Sequence, residues 1–256
     1  MKRRILILGG TSEARALSAQ LARRGDLDIT LSLAGRTVNP AAHDVPVRSG
    51  GFGGAEGLAA FLRSEAIDVL VDATHPYAVR ISANAVDAAE AAGIPLVSLV
   101  RPEWRAVTGD RWRQFDTVAD AVIALGDEPR RVFVALGRQE VAPLFAAPWH
   151  HYLIRSVDPI DPPLALPDVR YILARGPFEE TDERRLLADA GIEAIIAKNS
   201  GGAATYGKIA AARALGIEVF LLKRPALPTG MDAETVDEAI ALLDHLESAP
   251  LEERGE

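Results

Sequence analysis

The segment Gly9-Gly10-Thr11-Ser12-Glu13-Ala14, directly after the apolar run 5–8, carries the first residues whose types and spacing suit ligand chemistry. A buried strand that turns through glycines into a helix leaves backbone amides and the positive end of the helix dipole facing outward, and a nucleotide pyrophosphate docks there. Thr11 stands where a G-x-G-x-x-G pattern has its second glycine, and Ala14 replaces the third, a position that serves close helix packing. All six residues are therefore candidates for cofactor binding. The plainer reading has the glycines making only a tight turn, with Ser12 capping the helix.

Further along, a dinucleotide fold that prefers NAD carries an acid roughly 20 residues past the glycines to hold the ribose hydroxyls. Here the second apolar run, 28–33, leads instead into Ala34-Gly35-Arg36-Thr37. The planar guanidinium of Arg36 suits the extra phosphate of NADPH, with Ser32 and Thr37 as supporting hydroxyls; a solvated loop arginine is the alternative. Gly50-Gly51-Phe52-Gly53-Gly54 would bring backbone close to a flat or charged ligand, which adds Gly51, Phe52 and Gly53 to the cofactor set.

Asp72-Ala73-Thr74-His75-Pro76-Tyr77-Ala78 follows the third apolar run. Thr74 is assigned to the cofactor, while His75 and Tyr77 are the titratable groups that could deliver a proton near a nicotinamide. A structural role is open for each: Thr74 as helix cap, Pro76 in the first turn, Asp72 as loop anchor.

Three basic loops occur in the second half. Lys198-Asn199-Ser200-Gly201-Gly202 joins an ammonium, an amide, a hydroxyl and two glycines between a strand and a helix expected from Ala203. Arg138 follows the run 131–136, and Arg175 follows 169–174. Each cation alone reads as surface; their common placement after strands points to an anionic ligand.

The elements that must position these loops alternate. Apolar runs at 5–8, 29–33, 69–71 and 95–99 are separated by amphipathic, alanine-rich segments starting at Ser12, Ala55 and Val79, a βαβαβ pattern. Residues 101–113 break the pattern and are read as the junction. A second series follows: strands at 131–136, 151–157, 169–174, 192–197 and 219–222, helices from Glu179 and Ala203, and a last helix over 232–247. The expectation is an α/β protein of two Rossmann-like parallel-sheet domains, residues 1–100 and 101–256, with an active-site cleft between them.

Composition narrows the function. The 256 residues, 48% hydrophobic and 25% charged, suffice for large cores. The chain has no cysteine, which excludes disulfides and thiolate chemistry, and its five histidines show no ligand spacing, so no metal is expected. A net charge of −8 argues against nucleic acid. No run reaches membrane-spanning length and the start does not read as a signal peptide, so no membrane partner and a cytoplasmic location are expected.

With these loops assembled, the chain resembles the precorrin-6A reductases, NADPH-dependent enzymes of corrin-ring (vitamin B12) biosynthesis. The resemblance runs through residues 9–15, 34–37, 50–54, 72–78, 137–139, 175–178 and 198–202, in order and nearly full length. It implies NADPH on the first domain, a tetrapyrrole bound with the help of the second, and hydride transfer to precorrin-6A giving precorrin-6B. Tyr77, Arg138, Arg175, Lys198, Asn199, Ser200, Gly201 and Gly202 then become the substrate-binding set, the cations meeting the macrocycle's carboxylates. Two other readings stay open: a cobalt-precorrin-6A reductase using NADH, and a non-catalytic NADP-binding sensor. A short-chain reductase is disfavoured, since Tyr206 and Lys208 lack the Tyr-x-x-x-Lys spacing.

Overall fold

The computed structural model describes residues 2–35 and 42–248. They divide into two α/β units, one formed by the chain up to Pro102 together with the chain from Pro225 onward, the other by Glu103–Arg224. Each unit holds one six-stranded sheet in which every pairing is parallel.

The first unit runs through β1 (Arg3–Leu8), α1 (Ser12–Leu21), β2 (Leu27–Leu33), β3 (Val47–Ser49), α2 (Ala55–Ser64), β4 (Val69–Asp72), α3 (Val79–Ala92) and β5 (Leu96–Leu99). It is completed from the C-terminal side by β12 (Met231–Ala233) and α7 (Val236–Ser248), numbered in chain order. The strand order is β3-β2-β1-β4-β5-β12, so the winding reverses between β1 and β4. This is the doubly wound arrangement in which ligands bind beyond the strand C-termini at the reversal.

Alternation along β1 explains the two covered faces. Ile5 and Ile7 pack with Leu17 and Leu21 of α1 and Ala239 and Leu243 of α7. Leu6 and Leu8 point the other way, onto Leu58 and Leu62 of α2 and Ala85 and Ala88 of α3. A stretch of central strand buried on both sides is apolar at successive positions, as residues 5–8 of β1 and 69–71 of β4 are.

The second unit contains β6 (Trp112–Phe115), α4 (Val118–Ile123), β7 (Arg131–Ala135), a 3-10 turn (Ala142–Ala146), β8 (His151–Ser156), β9 (Val169–Leu173), α5 (Glu180–Asp189), β10 (Ala194–Lys198), α6 (Gly207–Leu215) and β11 (Glu218–Leu222). Its order, β9-β8-β7-β10-β11-β6, reverses between β7 and β10 in the same manner.

Residues 225–248 correct the expected division at 101–256. Met231–Ala233 is a strand and not the start of a helix; it pairs with β5, Met231 opposite Val97 and Ala233 opposite Leu99. The approach demands glycine at 230, where a Cβ would lie 2.3 Å from Leu96 O, and Gly230 N donates to Ser98 Oγ at 2.9 Å. A strand of three residues has no period to read, and its pairing is decided by the edge left open on β5. β3 and β6 are likewise short edge strands, β3 in a stretch for which no element was expected and β6 at the end of the expected junction. Among the described residues, no helix is long and apolar enough to cross a membrane.

Candidate active site

The turn after β1 sits at the reversal of the first sheet. Gly9 is fixed by close approach: a Cβ there would lie 2.6 Å from Leu31 Cδ1 and 3.3 Å from Ala14 Cβ. Gly10 instead has φ +118°, with nothing within 4 Å of a built Cβ, so its backbone opens onto free space. Thr11, rather than Ser12, caps α1. Its Oγ1 accepts from Ala14 N at 3.0 Å and donates to Ala73 O at 2.8 Å, which ties the turn to the end of β4. Ser12 Oγ donates to Glu13 Oε2 at 3.0 Å.

Glu13 would repel a pyrophosphate at this helix start were it not paired. Its Oε2 lies 2.6 Å from Arg101 Nη1, and both side chains are largely buried. Arg101, just past β5, was not singled out by spacing; it neutralises the acid and joins the β1 and β5 ends.

Between β2 and β3 the organising group is another residue that sequence reasoning missed. Arg48 stands opposite Ser32 in the parallel register. Its guanidinium donates to Gly50 O and Gly51 O, each at 2.7 Å, and lies 3.8 Å from the centroid of the Phe52 ring. Phe52 in turn meets Phe61 of α2 edge-on. Gly50 N donates to Leu33 O at 2.9 Å, so the 50–54 loop continues the ladder from the end of β2. A cation placed two residues before a glycine run is the signal that could have exposed Arg48. Arg36 and Thr37 lie outside the described residues.

The 72–78 loop is internally held. Asp72 Oδ1 accepts from Thr74 N at 3.0 Å and Thr74 Oγ1 at 2.7 Å, so Thr74 closes an Asx turn. It does not cap α3, whose N-cap is Ala78. His75 Nδ1 accepts from Tyr77 N at 3.3 Å, and the two rings are 5.7 Å apart. Both are half-buried beside the β1 turn's neighbour strand.

In the second unit, Lys198 ends β10 and Arg138 follows β7, flanking that sheet's reversal, while Arg175 follows β9. Arg138 and Arg175 are exposed. Lys198 Nζ is 2.5 Å from Glu140 Oε2, an acid from the Arg138 loop that sequence reading did not weigh. The same Oε2 accepts from Gly137 N at 3.0 Å.

Asn199 departs from its expected role as a substrate contact. It is 2% exposed; its Oδ1 accepts from Trp104 N at 2.9 Å and its Nδ2 donates to Trp104 O at 3.0 Å. An amide side chain matches a backbone amide donor for acceptor, so Asn199 pins the Trp104 segment. Gly202 O accepts from Trp104 Nε1 at 2.8 Å, adding a second tether. Ser200 O accepts from Arg224 Nη2 at 3.2 Å. The helix expected at Ala203 begins at Gly207, because 203–206 form a turn. The 198–202 cradle is therefore a loop and not a helix start.

The turn after β1 and the 50–54 loop offer open backbone beside cations and the start of α1, a set that fits a dinucleotide. Among the described residues, no group of three or more His, Asp or Glu is placed to hold a metal ion.

Fold and loops together define the class: an α/β protein of two doubly wound parallel sheets, with a dinucleotide-type turn in the first. The family model described as precorrin-6x reductase CbiJ/CobK matches residues 4–244, and the chain belongs to that family. It is thus an oxidoreductase of cobalamin biosynthesis, and a reductase of this kind implies a nicotinamide cofactor; the non-catalytic alternative falls. A precorrin-6A reductase from a Sinorhizobium species is 56% identical over 95% of this chain and 94% of its own. A solved structure titled CobK precorrin-6A reductase superposes with a TM-score of 0.92 at 44% identity, covering 97% of this chain and 99% of the other. A cobalt-precorrin-6A reductase from Priestia megaterium is 26% identical over 93% of this chain and 97% of its own.

Proposed function

We propose that this enzyme transfers a hydride from NADPH to the macrocycle of precorrin-6A, giving precorrin-6B. The observation that carries the substrate is the 56% identity to a protein named precorrin-6A reductase, set against 26% to one named for the cobalt-containing substrate. NADPH over NADH is supported by the end of β2, where Ser32 and Leu33 stand in place of a ribose-binding acid and Arg36 follows.

Bound nicotinamide supplies the hydride, so the work left to the chain is binding, orientation and exclusion of water. Gly9, Gly10, Thr11, Ser12 and Ala14 offer amides and close approach to a pyrophosphate, with Glu13 masked by Arg101. Gly51, Phe52, Gly53 and Thr74 border the same edge. Arg138, Arg175 and Lys198 meet acetate and propionate carboxylates, helped by Ser200, Gly201 and Gly202, while Tyr77 faces the ring. His75 and Tyr77 are the side chains available to deliver the accompanying proton, and solvent can do so equally.

A turnover assay with precorrin-6A and cobalt-precorrin-6A, each with NADPH and NADH, tests the reading. The expected result is fastest reduction of the cobalt-free substrate with NADPH. Faster turnover of the cobalt form with NADH would establish the alternative. For the cofactor alone, Arg36→Glu is expected to lower the NADPH preference tenfold or more, in line with about 1.5–3 kcal/mol for a charge-assisted contact.

A further inference from the structure

The geometry points to Arg48 as a specificity-determining residue that reads the 2′-phosphate of the cofactor, an inference that rests on the NADPH reading above. In a doubly wound sheet the adenosine ribose lies at the C-terminal end of the second strand. Arg48 is on β3, opposite Ser32 of β2, and its guanidinium sits beyond that end, with Nη1 3.4 Å from Ser32 Oγ.

A guanidinium carries five N–H groups. Nη1 serves Gly50 O and Ser32 Oγ, and Nη2 serves Gly51 O. The N–H on Nε and one on Nη2 have no acceptor among the described residues. Those two share an edge of the guanidinium, the edge that grips a phosphate with parallel bonds.

The surroundings hold that edge in place. Phe52 covers one face of the plane at 3.8 Å, and the two glycine carbonyls fix its far end. A cation held this way has already lost its rotamer freedom, so phosphate binding does not have to pay for it. Arg48 therefore does two things at once: it shapes the 50–54 loop and presents a fork to whatever occupies the ribose 2′ position. A 2′-hydroxyl gains one weak bond there, whereas a 2′-phosphate gains two charge-assisted ones.

The test separates these roles by binding alone. Affinities of 2′,5′-ADP and 5′-AMP are measured by calorimetry, and those of NADPH and NADH by nicotinamide fluorescence, for the unaltered protein, Arg48→Lys and Arg48→Met. We expect the unaltered protein to favour 2′,5′-ADP over 5′-AMP. Arg48→Met should erase at least tenfold of that preference, whereas any loss from the altered 50–54 loop falls on the 2′-phosphorylated and unphosphorylated ligands alike. Arg48→Lys, with its charge kept but the fork gone, should fall between. Equal weakening of all ligands in Arg48→Met would reduce Arg48 to a loop anchor, and an unchanged preference would leave it no part in recognition; either overturns the inference. If instead the unaltered protein shows no preference for the 2′-phosphorylated ligands, it is the NADPH reading that fails.

Discussion

Arg155 and Glu183 form a two-point ion pair sealed inside the second unit: Nη1 to Oε1 is 2.5 Å, Nη2 to Oε2 is 2.9 Å, and the side chains are 6% and 4% exposed. Arg155 comes from β8 and Glu183 from α5, and the guanidinium plane lies 3.7 Å from the Phe178 centroid, with Phe133 at 4.9 Å. The pair thus anchors the Arg175-Gly176-Pro177-Phe178 loop. Removing one charge strands the other in an apolar surround. Glu183→Ala should lose about 3–5 kcal/mol in urea unfolding, whereas the double change Arg155→Met with Glu183→Leu should lose much less. Equal losses would mean that packing, not the stranded charge, sets the cost.

Thr11 makes two bonds with one hydroxyl, capping α1 and reaching Ala73 O. Thr11→Val keeps the shape and loses both, for an expected cost of about 1–2 kcal/mol. Thr11→Ser should retain most of the stability. If Thr11→Val melts with the unaltered protein, the cap contributes nothing.

Lys198 is paired with Glu140, so on the proposed function a substrate carboxylate has to displace Glu140 from it. On the proposed division of labour, Lys198→Ala should raise the dissociation constant for precorrin-6A by about tenfold and leave NADPH unaffected, consistent with about 1.5 kcal/mol for one charged contact. Glu140→Gln removes the counter-ion and should tighten substrate binding. Should Lys198→Ala weaken NADPH and spare the tetrapyrrole, the assignment of ligands to the two units is reversed.

His75 holds its own loop through the bond from Tyr77 N to Nδ1. A positioned acid contributes about 10²–10⁴-fold. The expectation for His75→Ala is a smaller loss, under about tenfold in single-turnover reduction, with modestly poorer NADPH binding, because solvent can supply the proton equally and the bond to Tyr77 N is lost with the ring. A hundredfold loss at intact NADPH affinity, rescued by imidazole, would make His75 the general acid.

His150 is 1% exposed, and its Nδ1 accepts from Arg130 N at 3.2 Å. Burial, and then the nearby Arg130 charge, hold its pKa below 6.5. The unfolded chain therefore binds the proton more readily, and the stability His150 contributes is present above about pH 6.5 and lost as pH falls through the folded value. The thermal midpoint should drop more between pH 7.5 and 5 in the unaltered protein than in His150→Asn, which keeps an acceptor and cannot titrate. Parallel curves for the two would remove His150 as the cause.

The residues themselves determined a good deal. Runs such as 5–8 and 69–71, short, apolar at successive positions and alternating with amphipathic helical segments, fit central parallel strands, and glycines directly after one of them mark a ligand-facing turn. Those local rules reach the sheet class, the helices starting at Ser12, Ala55 and Val79, the loops at the strand ends and the family. Tertiary structure decided what depends on partners distant in the chain. Met231–Ala233 is a strand only because β5 offers it an edge. Asn199 is structural only because Trp104, 95 residues away, brings its backbone to the amide. Arg101, Glu140 and Arg48 acquire their roles by meeting Glu13, Lys198 and the carbonyls of Gly50 and Gly51. Side-chain charge and spacing say what a group can bind; burial and the nearest donor or acceptor, set by packing, say what it does bind.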